Sequence, residues 1–381
     1  MPISRRSFFR TIGAGAAAGS VVPWTLERIA GALVIEPPRP QEPDGFVHLE
    51  SNENAYGPSE KTKEAIGAAL SSANRYPYKL YDGLTEKIAA IHRVSPEQIV
   101  LGCGSTEILR VSAQAFVGQG KALIQAAPTF EALGRYSQSV GARVVPVRLA
   151  HDYSHDLPAM LKLVNSSVAL VYICNPNNPT GSLTPRQQIE EFIAKLPPTT
   201  FVLIDEAYHH YAGESAAYAS FLDRPVNDDR IVVTRTFSKV YGMAGLRLGY
   251  AIASKKTAQQ LEKFLTMDSV NGIVAMAAQA ALDDQTAMQA SVKQNTDDRQ
   301  EFYNQCHARM LKPIDSHANF VMMDTHRPTS DVIEHFRKNK VLIGRRFPPM
   351  DRHIRISLGT PPDMQQFWRV WDLLPHVEMS M

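Results

Sequence analysis

Between residues 96 and 252 the chain alternates short β-branched runs with helical stretches. This alternation constrains the fold strongly, because neighbouring parallel strands need a long crossover connection, usually a helix. It predicts an α/β fold in which a mostly parallel sheet is covered by helices on both faces. The predicted strands are Gln98–Leu101, Ala122–Ile124, Arg143–Val147, Val168–Cys174, Phe201–Asp205, Ile231–Thr234 and Leu248–Ile252.

After about residue 270 the pattern changes. A long helical region reaches Leu311, and short strands are predicted at Phe320–Met323, Val341–Ile343 and His353–Ser357. We therefore expect four parts in the chain. They are a signal and linker at 1–36, a segment at 37–70 that joins the second domain, a large domain at 71–268 and a small α+β domain at 269–381.

The N-terminus reads as a twin-arginine export signal, because Arg5 and Arg6 stand between serines and are followed by Phe8 and Phe9. The apolar stretch behind it is too short and too rich in glycine for a stable membrane span. We therefore expect the twin-arginine machinery to export the folded protein to the periplasm. A disordered basic tail on a cytoplasmic protein is the alternative.

Composition excludes several classes of protein. The chain has 381 residues, of which 44% are hydrophobic and 20% charged, as in a soluble globular protein. Its net charge is +2 without a basic stripe, which argues against nucleic acid as a partner. The three cysteines show neither paired nor metal-like spacing, so we predict no disulfide framework and no metal site.

Two residues near strand ends suggest an aldehyde cofactor with a pyridine ring. Lys239 follows a predicted strand, where sheet ligands bind, and a desolvated amine there can form an imine. Asp205 ends another apolar strand, where a buried carboxylate needs a cation such as a protonated ring nitrogen. Taken alone, each has an ordinary alternative: a solvated loop lysine, and a helix N-cap.

Two loops complete this pattern. The string Cys174-Asn-Pro-Asn-Asn-Pro-Thr-Gly181 closes a strand with a tight turn that presents amide side chains. The segment Gly102–Glu107 joins a strand to a helix whose free N–H groups suit a phosphate.

In this order, the four pieces resemble fold-type I pyridoxal 5′-phosphate (PLP) enzymes of the class I/II aminotransferase family, in particular the histidinol-phosphate aminotransferase branch. The resemblance runs from about Leu49 to the C-terminal helix. It implies a large PLP-binding domain with a smaller α+β domain. It also implies a homodimer, in which Tyr76 would reach the phosphate in the partner subunit's site.

The resemblance further implies a role for each matching residue. Lys239 would hold PLP as a Schiff base and move the Cα proton, while Asp205 would bind the pyridine nitrogen. The remaining cofactor contacts would be Asn178 and Tyr208 on the ring's 3′ oxygen, Phe130 on its face, and Gly104, Ser105, Thr106, Ser238 and Arg247 on the phosphate.

On the substrate side, Arg355 matches the arginine that clamps the α-carboxylate in relatives. Asn54 and Tyr56 lie in a segment that resembles the loop closing over the site. Arg345 stands where histidinol-phosphate enzymes hold the substrate's phosphate, but the prolines and phenylalanine after it depart from that pattern. A second carboxylate or an aromatic side chain is therefore an alternative there.

The implied reaction is transfer of an amino group between an amino acid, or an amino alcohol phosphate such as histidinol phosphate, and a 2-oxo acid, with ping-pong kinetics. A decarboxylase or lyase of the threonine-phosphate decarboxylase type would share every cofactor residue. A PLP-fold protein kept as a non-catalytic binding module is a third alternative.

Overall fold

A computed structural model describes residues 45–213, 215–223 and 228–375. The predicted export signal and linker at 1–36 lie outside these residues. From Phe46 onward the chain forms one compact unit. The predicted division at residues 70 and 268 stays a prediction.

Seven strands form the main sheet, in the order β2-β8-β7-β6-β5-β3-β4. Only β8 runs against its neighbours, so the other strands end at the same edge. The predicted strands are confirmed, two of them with the predicted bounds and the others with shifts of one to three residues at their ends. Their bounds are Ile99–Gly102 (β2), Ala122–Ala127 (β3), Arg143–Arg148 (β4), Val168–Cys174 (β5), Phe201–Asp205 (β6), Ile231–Thr236 (β7) and Gly249–Ala253 (β8).

The side chains of the central strands alternate between two cores, one on each face of the sheet. On β5, Val171 and Ile173 join one core, while Leu170 and Tyr172 join the other. Helices cover both faces, as predicted for a parallel sheet. Among the described residues between 45 and 262, the helices are Glu60–Ala69 (α1), Tyr78–His92 (α2), Ser105–Phe116 (α3), Ala132–Ser139 (α4), Leu157–Lys162 (α5), Arg186–Ala194 (α6), His209–Ala212 (α7) and Lys255–Glu262 (α8).

The C-terminal part of the chain builds two smaller sheets around a third core. One is antiparallel, and the other pairs the first strand of the chain in parallel with a late one. The strands are Val47–Leu49 (β1), Lys312–Pro313 (β9), Phe320–Asp324 (β10), Val341–Ile343 (β11) and His353–Ser357 (β12). The helices are Gly272–Asp283 (α9), Gln285–Ala308 (α10), Thr329–Lys338 (α11) and Pro361–Asp372 (α12).

Within the described ranges, no helix combines the length and the apolar character that crossing a membrane requires.

Candidate active site

The loops that follow β2, β5, β6 and β7 meet at the edge where these strands end. These loops, the segment Glu50–Glu53 and residues of the two small sheets line a cavity of about 730 Å³. Eleven of the residues predicted from the sequence line it: Ser105, Thr106, Phe130, Asn178, Asp205, Tyr208, Ser238, Lys239, Arg247, Arg345 and Arg355.

Lys239 follows β7 and points its amine into the cavity. Its Nζ donates a hydrogen bond to the Asn52 carbonyl at 2.8 Å. Burial, followed by the charge of Arg355, lowers the pKa of Lys239 to about 8. A partly neutral amine at physiological pH can act as a nucleophile or as a base.

Asp205 ends β6 and is 2% exposed. Its Oδ2 accepts a hydrogen bond from the Tyr172 hydroxyl at 2.9 Å, and its Oδ1 accepts one from the Ala207 N–H at 3.1 Å. Burial raises the pKa of Asp205, since none of the described cationic side chains forms an ion pair with it. The site therefore offers a buried carboxylate that a protonated ring nitrogen would satisfy.

The phenol of Tyr208 lies between two amide side chains. Asn52 donates to the Tyr208 hydroxyl at 3.0 Å, and Asn178 lies 3.5 Å from the same oxygen. Burial raises the pKa of Tyr208, so its hydroxyl stays protonated and remains available as a donor. The arrangement suits a ring oxygen that needs hydrogen-bond donors.

A cradle for an anion forms where α3 begins. Gly104 precedes the helix with φ +77°, and Ser105 and Thr106 supply its first free N–H groups. Arg247 lies so close to Gly104 that an added Cβ would stand 2.2 Å from Nη2 of the guanidinium. Ser238 lies 3.4 Å from Nη1 of the same arginine. The cradle therefore combines helix N–H groups, hydroxyls and a cation, which together suit a phosphate.

Arg355 lies on β12 at the opposite side of the cavity. It is 7% exposed, and burial lowers its pKa to about 10. Its Nη1 donates to Asn178 Oδ1 at 2.7 Å and its Nη2 donates to the Glu50 carbonyl, while its Nε has no hydrogen-bond partner. No described carboxylate forms an ion pair with it. A buried guanidinium in this state is suited to an incoming carboxylate.

Arg345 also borders the cavity, but it has partners of its own. Its Nη2 lies 2.9 Å from Glu131 Oε1, and its guanidinium stacks on Phe347 at 4.4 Å. The guanidinium of Arg355 also lies over the ring of Phe347, 4.8 Å from the ring centre. A substrate anion at Arg345 therefore has to compete with Glu131.

Four predicted contacts are not among the residues that line the cavity. One of them, Gly104, lies beside Arg247 in the anion cradle described above, and the other three lie elsewhere. Asn54 uses its amide to donate to the carbonyls of Lys239 and Val240, so it supports the loop below the lysine. Tyr56 is 44% exposed and donates to Asp298 at 2.9 Å, beside a separate pocket. Tyr76 is 75% exposed and stacks on the neighbouring Tyr78. Within this chain, direct substrate contacts of Asn54 and Tyr56 are therefore not supported.

Sequence reasoning missed four residues that complete the site: Asn52, Tyr172, Glu131 and Glu50. Asn52 has φ +55°, a turn that brings its amide and its carbonyl to Tyr208 and Lys239. Asn52 itself was a signal for such a turn, because asparagine adopts positive φ more often than most residues do. The position of Tyr172 inside a buried strand gave no comparable signal, since it reads as a core residue.

Known proteins resemble this chain over most of its length. A profile for the family described as aminotransferase class I and II matches residues 44–370. Histidinol-phosphate aminotransferase 2 of Carboxydothermus hydrogenoformans is 38% identical over 84% of this chain and 88% of its own length. The structure of histidinol-phosphate aminotransferase from Sinorhizobium meliloti in complex with pyridoxal-5′-phosphate is 27% identical. It covers 86% of this chain and 92% of its own, with a TM-score of 0.81.

An L-threonine-O-3-phosphate decarboxylase from Porphyromonas gingivalis is also similar in structure. Its TM-score is 0.74 over 86% of this chain and 98% of its own, but at 21% identity it shows the fold alone.

Proposed function

We propose that this chain, which belongs to the aminotransferase class I and II family, moves an amino group between an amino acid and a 2-oxo acid. The family makes it a PLP-dependent aminotransferase of fold type I. The observation that carries the choice of substrate is Arg355, a buried guanidinium without a carboxylate partner among the described residues. An α-carboxylate is the anion of matching shape.

The residues that line the cavity fit the cofactor. When bound, PLP supplies an aldehyde and a pyridine ring that accepts electrons. Asp205 would hold the ring nitrogen, and Asn178 and Tyr208 would donate to the 3′ oxygen. Phe130 would lie against the ring face. The phosphate would be held by Gly104, Ser105, Thr106, Ser238 and Arg247.

Proton transfer falls to Lys239. Its amine points into the cavity, and its lowered pKa of about 8 leaves part of it neutral near pH 7.5. The neutral Nζ would take the proton from the substrate's Cα and would hold it, as an ammonium, on the side of the cavity where the cofactor binds. Arg355 keeps the α-carboxylate in place during this transfer, so the Cα–H bond stays within reach of Nζ.

Arg345 decides which further group of the donor, besides the one bound by Arg355, the site can hold. Relatives named histidinol-phosphate aminotransferases make a phosphate the first candidate. In this chain, however, Glu131 already pairs with Arg345, and Ile333, Ile343 and Phe347 form an apolar wall beside it. We propose an amino acid donor first and an amino alcohol phosphate such as histidinol phosphate second.

The test is the absorbance spectrum of the purified protein before and after addition of single donors. The panel contains glutamate, phenylalanine, histidine, histidinol phosphate and threonine phosphate. We expect a band near roughly 410–430 nm that bleaches toward about 330 nm with the true donor. Release of carbon dioxide without a keto acid would instead favour the decarboxylase, and no band after addition of PLP would refute the cofactor assignment.

A pair of arginine variants tests the substrate contact. Arg355→Gln removes the proposed clamp, and we expect KM for amino acid donors to rise about tenfold or more. Arg352→Gln is the matched control, because Arg352 lies beside the same strand but pairs with Asp324 at the surface. If both variants leave KM unchanged, Arg355 does not bind the donor.

We further propose a homodimer in which Tyr76 completes the partner subunit's site. An exposed fraction of 75% for an aromatic side chain, next to the 57% exposed Tyr78, supports an interface there. Light scattering tests this proposal: a monomer at micromolar concentration would refute it. The variant Tyr76→Phe is expected to weaken PLP binding while the dimer persists.

We also propose export through the twin-arginine machinery, on the strength of Arg5 and Arg6. The full chain should reach the periplasmic fraction, and Arg5→Lys/Arg6→Lys should keep it in the cytoplasm. Equal distribution of both versions between the fractions would refute export.

A further inference from the structure

Tyr172 is a buried polar side chain for which the mechanism above has no use. It stands on the all-buried strand β5, and its own exposed fraction is 0%. Its hydroxyl donates to Oδ2 of Asp205, on the neighbouring strand β6, at 2.9 Å. A phenol in an apolar core is stabilised by such a partner, but leucine or phenylalanine would fill the same space without needing one.

The carboxylate at the other end of this bond has few other donors. Its second oxygen accepts only the Ala207 N–H, at 3.1 Å. Burial raises the pKa of Asp205, and the Tyr172 hydroxyl opposes this effect more than any other neighbour does. A hydrogen bond to a charged acceptor is stronger than one between neutral groups, and more so where water is excluded.

We propose that Tyr172 is a positioning residue that orients the Asp205 carboxylate and keeps it ionised against the ring nitrogen of the cofactor. The inference rests on the proposed role of Asp205. When two groups compete for one proton, a donor to the carboxylate favours the state in which the nitrogen carries it. Without the hydroxyl, the proton moves toward Asp205 and the ring becomes a weaker electron acceptor.

One neighbouring group offers a replacement for the lost donor. Thr234 stands opposite Asp205 in the register of β6 and β7, and its buried hydroxyl also lowers the pKa of Asp205. A rotation of that hydroxyl could offset part of the loss, so the test includes a double variant. The polar and titratable groups that influence Asp205 are Tyr172 and Cys174 from β5, Thr234 from β7, Lys239 from the loop after β7, and Glu206 and Tyr208 from its own segment.

The experiment measures which atom carries the proton. The holoenzyme is prepared with PLP labelled with ¹⁵N in the ring, and the ¹⁵N chemical shift is followed against pH for wild type, Tyr172→Phe and Tyr172→Phe/Thr234→Val. Tyr250→Phe is the matched control, because it removes a phenol of 6% exposure that bonds to His92 at 2.9 Å instead.

For Tyr172→Phe we expect the fraction of nitrogen-protonated cofactor, read from the ¹⁵N shift at a fixed pH near 7, to fall, because the ratio of the two proton positions should change about tenfold or more toward Asp205. The double variant should fall at least as far, and the control should match wild type. A ¹⁵N shift at that pH that is the same in wild type, single variant and double variant would overturn the proposal.

Folding of the variants does not decide the outcome. Site-specific incorporation of 3-fluorotyrosine at position 172 keeps the shape of the side chain and makes its hydroxyl a stronger donor. The ratio should then change toward the nitrogen, opposite to the change in Tyr172→Phe, and a ¹⁵N shift that moves toward the value of an unprotonated nitrogen counts against the proposal. If PLP does not bind to wild type at all, the proposed function fails instead, so the two failures are distinguishable.

Discussion

The buried amine of Lys239, which the proposed reaction needs, is expected to destabilise the folded protein when PLP is not bound. The pKa of Lys239 falls from 10.5 to about 8 on folding, because burial disfavours its charge. This difference corresponds to about 3 kcal/mol of unfavourable free energy wherever the lysine is charged in both states. The side chain is partly exposed, so solvent screening reduces the figure, and we expect about 1–3 kcal/mol.

Lys239→Met should therefore raise the free energy of unfolding of the PLP-free protein at pH 7. The variant loses the hydrogen bond to the Asn52 carbonyl, but that oxygen keeps the Asn319 amide as a donor at 3.1 Å. Methionine fills a similar volume without a charge, so no large cavity is expected. Urea unfolding of wild type and variant measures the difference.

The pH dependence separates this cause from simple repacking. Between the folded pKa of about 8 and the unfolded value near 10.5, the unfolded state binds more protons than the native state. Wild-type stability should therefore rise through this window relative to Lys239→Met, and the gap should close. The control is Lys263→Met, at an exposed position, where we expect no change. A variant that is less stable than wild type at pH 7 would refute the reasoning.

Three further predictions concern the cofactor, stability and the substrate. Gly104→Ala should weaken PLP binding about tenfold or more in a fluorescence titration, because its Cβ would stand 2.2 Å from a guanidinium nitrogen. Arg235→Met should lower the free energy of unfolding in urea by about 3–5 kcal/mol, since it leaves the 2% exposed Glu206 without its cation. Glu131→Gln should lower KM for histidinol phosphate by up to about fivefold, because it frees Arg345.

Each of these has a control in the same chain. Gly120→Ala has a similar φ of +75° but meets no atom within 4 Å, so it isolates backbone strain from the collision. The double variant Arg235→Met/Glu206→Gln should recover part of the lost stability, since it leaves no buried charge. Glu131→Gln should leave KM for phenylalanine unchanged; an equal change for both donors would contradict competition at Arg345.

The central strands were the most predictable, because β5 and β6 are runs of mostly buried apolar residues, and both match the predicted bounds. The turns were less so. Thr184 stands just before a helix, where a threonine is typical of an N-cap, but that helix begins at Arg186 after Pro185, and the Thr184 hydroxyl instead accepts the His155 N–H at 2.9 Å. That bond joins segments 29 residues apart, which local sequence patterns do not report.

In the loop at Glu50–Tyr56, too, the sequence did not predict which side chains face the cavity. Asn54 and Tyr56 were expected on the substrate, but the turn at Asn52 exchanges the residues that face the cavity. Its positive φ directs the amide and carbonyl of Asn52 inward, while Asn54 binds the backbone below Lys239. A motif identifies the loop, and a single backbone angle decides which of its side chains reaches the ligand.

The cofactor side and the substrate side of the cavity differ in how much stability the protein loses when one of their residues is replaced. On the cofactor side, Asp205, Tyr172 and Tyr208 are at most 3% exposed, and each bonds to another buried group. Removal of one leaves a buried partner unsatisfied, at a cost of about 1–3 kcal/mol. On the substrate side, the half-exposed pair of Glu131 and Arg345 contributes at most about 1 kcal/mol. Substrate preference can therefore change at little cost in stability, which is why the motifs predict the cofactor more sharply than the donor.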